Sequence, residues 1–511
     1  MKEIDLAGRI GRISTRHGYI ETPYIFPVVD PILRNQYVSL DEILSIGFNG
    51  IITNAYILKK HRGAVGDIHG YLNFSGVVMT DSGAYQILRY GDVEVGNREI
   101  VMYQCEAKSD IGVILDIPTS AGVDRETALR SADETYRRAV EALDVVESCR
   151  DTLWTLPIQG GTYLDILEHY AEKSVELFYS GYSLYALGSP TTLLEQYDLD
   201  KIIDMIFTVR SVIPFSAPLH LFGAGHPLIV PFAVALGIDT MDSASYILYA
   251  KDGRYMTSKG TYRLEDLGYF PCTCPLCSKH SPEDIQRMPR SKRVEFLALH
   301  NLYTILREFR EVKQAIREGR LWEYIEGKAS SHPAARRAFE QLKKYAEFIY
   351  RHSPIVKPNA KAVFILSRDS VYNPRIMVPR RRVVERFNPK ARCIDLVPYT
   401  RGRIPLGNRS RGSECLSYIY FPILGVAPLQ LANRYPYSQF EFGLEVADDI
   451  IDDLSYLVFE ILLKVRRIGS TITVNMYVCQ GEEWQEKLYS RLLSLATGEI
   501  DIKMELKTIN C

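Results

Sequence analysis

Eight short apolar runs punctuate the first half of the chain, at residues 24–29, 50–54, 77–80, 111–116, 154–159, 184–187, 219–222 and 238–242. Each is strand-sized, bounded by turn residues, and apolar without alternation, the mark of a strand buried on both faces. Helix-like stretches separate them. Leu129, Ala132, Tyr136, Ala139, Val140, Leu143 and Val146 recur at helical spacing behind Asp124, a natural N-cap. Leu164, Leu167, Tyr170, Ala171, Val175 and Phe178 form a second such face closed by Gly181, and Ile202, Ile203, Ile206, Val209 and Arg210 a third. Alternating buried strands and amphipathic helices demand a parallel sheet. Eight units in roughly 230 residues match a (β/α)8 TIM barrel. An open doubly wound sheet is the alternative, weakened because no Gly-x-Gly-x-x-Gly opens the first helix.

In such a barrel the chemistry gathers where the strands end. The residues there are Asp81 and Ser82, Asp116, Gln159 with Gly160 and Gly161, Gly188, Gly223 with Gly225, and Asp242. Each aspartate alone is equally well explained as a helix cap. Three carboxylates, an amide and glycines, with no Lys or Arg among them, suit a neutral ligand rich in donors and acceptors. A guanine-like base fits: its N1–H and amine seek a carboxylate, and its O6 seeks N–H donors. Tyr85 stands where a stacking ring is useful. Two carboxylates also suffice for substitution at an anomeric carbon, one attacking and the other moving the proton.

Cys272-Thr-Cys274-Pro-Leu-Cys277 is the most specific local signal. Three soft ligands on one loop need a fourth to complete a tetrahedral zinc site, and His280 and His300 both follow. Filled by protein alone, the site is structural. Cys105, Cys149, Cys393, Cys415 and Cys479 are scattered and read as core or surface thiols rather than a disulfide framework.

A mixed-charge helical region runs from 289 to about 349, and the periodicity breaks at His352-Ser-Pro354. This divides the chain into a catalytic region, 1–350, with a zinc subdomain near 270–305, and a C-terminal α/β region, 351–511, of two subdomains. In that tail residues 362–367, 393–397, 470–479 and 500–508 read as strands. Residues 450–465 and 482–496 read as helices. Lys plus Arg total 61 against 62 Asp plus Glu, so net charge says nothing for or against nucleic acid. Basic clusters do: Arg287, Arg290, Lys292 and Arg293; Arg380, Arg381, Arg382 and Arg386; Arg401, Arg403, Arg409 and Arg411. No apolar run reaches membrane-span length and no signal-peptide core opens the chain, so a cytoplasmic protein without a membrane partner is expected.

Taken together, Gly8-Arg-Ile-Gly-Arg-Ile-Ser-Thr15, Thr80-Asp-Ser-Gly-Ala-Tyr-Gln86, Leu115-Asp-Ile-Pro118, Ile158-Gln-Gly-Gly161, Phe222-Gly-Ala-Gly-His-Pro227, Gly237-Ile-Asp-Thr-Met-Asp-Ser243, the cysteine loop and His300-Asn-Leu302 resemble tRNA-guanine transglycosylases. The long tail resembles the archaeal type that acts on guanine 15 of the D-arm. The resemblance implies Asp242 as nucleophile, Asp81 as general acid/base, and Ser82, Tyr85, Asp116, Gln159 and Gly188 around the base. It implies one structural Zn2+ on Cys272, Cys274, Cys277 and His300. The implied reaction replaces guanine with 7-cyano-7-deazaguanine (preQ0), through a covalent glycosyl-enzyme, on the route to archaeosine. A homodimer is implied. No PUA domain is evident in the tail, so a separate PUA-domain protein is a candidate partner for gripping tRNA. The other readings are a non-catalytic tRNA-binding paralogue, an enzyme acting at the anticodon wobble guanine, and a metal-dependent barrel hydrolase.

Overall fold

The computed structural model describes residues 3–34, 36–84, 95–188, 190–358, 360–387, 389–400, 415–466, 471–497 and 501–511. The chain forms two compact units, Met1–His352 and Ser353–Cys511. In the first, eight parallel strands close a barrel: β1 Tyr24–Val29, β2 Gly50–Asn54, β3 Val77–Asp81, β4 Ile111–Val113, β5 Leu153–Ile158, β6 Leu184–Leu187, β7 Leu219–Leu221 and β8 Thr240–Ser243. β8 pairs with β1, which leaves the barrel without an edge. The apolar runs seen in the sequence are these strands, most of their residues buried. Register sets the active face: Asn54 sits opposite Asp81 on β2 and β3. His220 sits opposite Thr240 on β7 and β8.

Helical periodicity located the helices better than their buried faces. Asp124 caps the helix Arg125–Glu141 by accepting from Thr127 N at 2.8 Å. The buried face is Ala128, Ser131, Ala132, Thr135 and Ala139, however, and Leu129 and Val140 are exposed. Small residues face the barrel here because the helix lies close against the sheet, while the larger apolar side chains remain outside. Beyond β8, the helix Arg290–Glu318 carries His300. At the opposite end of the barrel, the buried Arg9 guanidinium makes a two-pronged bond to Asp239, both contacts at 2.6 Å. Asp239 in turn accepts from Leu219 N.

In the second unit a five-stranded sheet runs in the order Gly425–Pro428, Leu416–Phe421, Cys393–Pro398, Ile472–Cys479, Ile502–Ile509. A two-stranded sheet joins Val363–Ile365 to Phe440–Phe442. The strands at 416–421, 425–428 and 440–442 and the helix Pro374–Arg386 are additions to the sequence reading; this helix carries an internal proline and five arginines, which hide its period. One of these, Arg380, is no surface cation. It is buried, donating to Ile423 O and Asp453. Arg401, Arg403, Arg409 and Arg411 lie outside the described residues.

The cysteine reading needs correction. Cys105 is bonded to Cys149, Cys393 to Cys415, and Cys479 to Cys511. The partners are 44, 22 and 32 residues apart, and only the fold brings them together. Cys105 lies in the last turn of the helix Asn97–Glu106, whose neighbour Leu143–Ser148 leads directly to Cys149.

Candidate active site

The exits of the strands surround a cavity of about 590 Å³. Asp81, Asp116, Gln159, Gly188, Gly223 and Asp242 all line it. Asp81 ends β3, and the neighbouring Asn54 donates its amide to Asp81 Oδ2 at 3.1 Å. Burial, then the charges of Asp116 and Asp242, push the Asp81 carboxyl up to about 7, against the pull of the Gly83 N–H and the Asn54 amide. Burial likewise raises Asp116 to about 6, opposed first by the hydrogen bond from Gln159. Gln159 Nε2 donates to Asp116 Oδ2 at 2.6 Å, and Thr119 N donates to Gln159 Oε1 at 3.2 Å. The amide orientation is thereby fixed.

Asp242 is held differently. Its Oδ1 accepts from Gly223 N at 2.8 Å and lies 3.1 Å from His220 Nε2. His220 Nδ1 meets Thr240 Oγ1 at 2.9 Å. Two contacts therefore converge on Oδ1 of Asp242 and fix the carboxylate plane. Gly223 adopts φ +65°, the left-handed turn that aims its N–H at Asp242. Asp81 is thus poised to carry a proton near neutral pH while Asp242 is oriented by fixed donors, so the two carboxylates sit in different environments, as acid–base chemistry between a pair requires.

Ser82 is buried, and its hydroxyl meets no hydrogen-bond partner among the described residues. Gly188 lines the cavity, and its N–H already donates to Ile158 O at 3.1 Å. Its contribution is space: a β-carbon there would overlap the Gln159 amide. Tyr85 lies outside the described residues. Asn54, His220 and Lys251 were missed in the sequence. Asn54 is itself a strand-exit residue and belonged with the others. His220 is a polar residue between two leucines inside a buried strand, a conspicuous position. Lys251 is a cation at the cavity lining.

The sulfur atoms of Cys272, Cys274 and Cys277 and a ring nitrogen of His300 all lie within 4.8 Å of one another. His300 Nε2 is 2.8 Å from Met256 O, which leaves Nδ1 to face Cys277 Sγ at 3.4 Å and Cys274 Sγ at 3.7 Å. Tyr255 stacks on the His300 ring with centroids 3.6 Å apart. Asn301 accepts from Met256 N, which holds the strand carrying that carbonyl. His280 is instead packed edge-on against Phe296. Three cysteine sulfurs and an imidazole gathered in this way, with the outer ring nitrogen set against a carbonyl, can hold a metal ion.

A family model described as queuine tRNA-ribosyltransferase matches residues 5–334. The chain is 44% identical to the tRNA-guanine(15) transglycosylase of Sulfolobus acidocaldarius, over 90% of this chain and 92% of that one. It is 42% identical to the protein of the same name from Aeropyrum pernix, over 98% of each. To that from Thermococcus kodakarensis it is 39% identical, over 86% of this chain and 71% of the relative. Barrel, cavity and cysteine loop all fall within the matched span, and the chain belongs to the tRNA-guanine transglycosylase family.

Proposed function

We propose that this enzyme exchanges guanine 15 of tRNA for 7-cyano-7-deazaguanine, with Asp242 as nucleophile and Asp81 as general acid/base. One observation carries the reading: Asp81 and Asp242 line the same cavity, one with its carboxyl raised to about 7, the other anchored by Gly223 and His220. The names of the relatives supply the position of the guanine.

Guanine 15 lies within the folded tRNA, so its nucleotide must turn out of the stack into the cavity. Asp116 accepts from the base N1–H and amine, whose donation favours its ionised form. Gln159, hydrogen-bonded to Asp116, turns its amide toward the base. Ser82 supplies a hydroxyl. Asp242 attacks C1′ as Asp81 gives its proton to the departing guanine. The arriving base then loses a proton to Asp81 as it displaces Asp242. Two displacements preserve the anomeric configuration, which an intact RNA strand requires. Cys272, Cys274, Cys277 and His300 fit a zinc ion, which when bound staples the loop and leaves the reaction to the carboxylates.

Incubating the protein with tRNA and labelled guanine, then mapping the label, tests this. Label at position 15 is expected; label confined to the anticodon loop would overturn it.

A further inference from the structure

A second cluster of ligating side chains lies at the opposite end of the barrel. His17 sits in the turn between the paired strands Arg12–Thr15 and Gly18–Glu21. His69 lies in the first turn of the short helix Ile68–Leu72, its backbone N–H donating to Asp67 Oδ1. Asp110 immediately precedes β4. The ligand atoms of the three lie within 4.8 Å of one another. His17 Nδ1 is 3.0 Å from Asp110 Oδ1, and His69 Nε2 is 3.1 Å from Asp110 Oδ2. The two rings lie 3.6 Å apart, centroid to centroid.

Two features single this cluster out. The Asp110 side chain is 0% exposed, and the described cation nearest in sequence, Lys108, is directed to Asp67 instead. A buried carboxylate requires a countercharge. Further, His69 Nδ1 lies 3.1 Å from Phe74 O, an acceptor, so Nδ1 carries the hydrogen. In the neutral ring Nε2 then presents a lone pair. That nitrogen is nine-tenths buried and faces only an Asp110 oxygen at 3.1 Å, which a neutral ring so arranged meets lone pair to lone pair.

We infer that His17, His69 and Asp110 form a second metal site, for a divalent ion of the imidazole-binding class such as Zn2+, Co2+ or Ni2+. An ion at this point meets the lone pair of His69 and neutralises Asp110 in one step. Two imidazoles and a carboxylate suit this group of metals rather than Mg2+ or Ca2+. Binding through His17 Nδ1 requires the neutral ring to carry its one hydrogen on Nε2. His17 is 29% exposed, which leaves a coordination position open to water. The site ties the N-terminal hairpin to β3 and β4, since Asp110 also accepts from Val78 N at 2.9 Å. It lies far from the strand exits, so its role is to fasten the closed end of the barrel.

The test is metal stoichiometry on the full chain, with Zn2+ supplied and excess removed by gel filtration. Wild type should retain two equivalents, and His17→Ala and His69→Ala one each. Cys277→Ala should lose a different equivalent, the one bound through thiolates. Co2+ makes the distinction visible: sulfur-to-cobalt charge-transfer bands disappear in Cys277→Ala and persist in His17→Ala. His17 is partly exposed, so its variant folds even where the buried His69 variant does not. A single equivalent in wild type, or two in His17→Ala, would overturn the inference; a lone imidazolium on Asp110 would then supply the countercharge.

Discussion

His220 and Asp242 face one another at 3.1 Å across adjacent barrel strands, one ring nitrogen against one carboxylate oxygen. Thr240 holds the other ring nitrogen, so the contact fixes both where Asp242 points and which oxygen is held. In the proposed reaction Oδ2, away from His220, approaches C1′.

Replacing His220 with alanine removes this support without touching the base. A hydrogen bond to a charged group contributes about 1.5–3 kcal/mol, so kcat should fall about tenfold to a hundredfold with little change in KM. Steady-state exchange kinetics check this; an increase in KM at unchanged kcat would place His220 in binding instead.

The raised Asp81 carboxyl gives a pH profile. Exchange needs its proton, so kcat/KM should fall as pH rises through about 7. Stability follows the same sign. Its folded pKa of about 7 stands above the ordinary 3.8, so between these values the folded chain holds a proton that the unfolded chain has lost. Stability therefore declines as pH rises across that window. Asp81→Asn removes the penalty. It should abolish exchange yet stabilise the fold at pH 8 by on the order of 2 kcal/mol, and much less at pH 4. Thermal unfolding at the two pH values checks this.

Gly188→Ala would press a methyl group into the Gln159 amide and turn it from Asp116. The expected result is a KM for guanine raised at least tenfold, since a misaligned hydrogen-bonding group leaves the base unpaired in a buried site. Affinity for tRNA should be unchanged, measured by filter binding.

For the proposed zinc site, removal of the ion should unfold the loop from residue 272 to 277 and expose His300, which is fully buried. Cys277→Ala should lower the melting temperature and lose one equivalent of zinc, read by calorimetry and elemental analysis. A variant with unchanged stability would remove the structural role.

Much of this was legible because barrel strands are short, apolar on both faces, and end in polar residues. Asp81, Asp116, Gln159 and Asp242 stand out at strand exits, and the Cys-x-Cys-x-x-Cys loop fixes three ligands by spacing alone. What spacing cannot show is contact between distant segments. The pairings of Cys105 with Cys149 and Cys393 with Cys415 depend on which helices and strands become neighbours. The bond from Asn54 to Asp81 depends on ladder register. Leu129 and Val140 misled because periodicity reports which residues share a face, while tight packing on the sheet selects small side chains for the inner one.

The most direct test of the account is incorporation of labelled guanine into tRNA by Asp242→Ala. The account predicts tRNA binding equal to wild type with no incorporation above background. Incorporation at a measurable rate would contradict Asp242 as the group that bonds to the ribose.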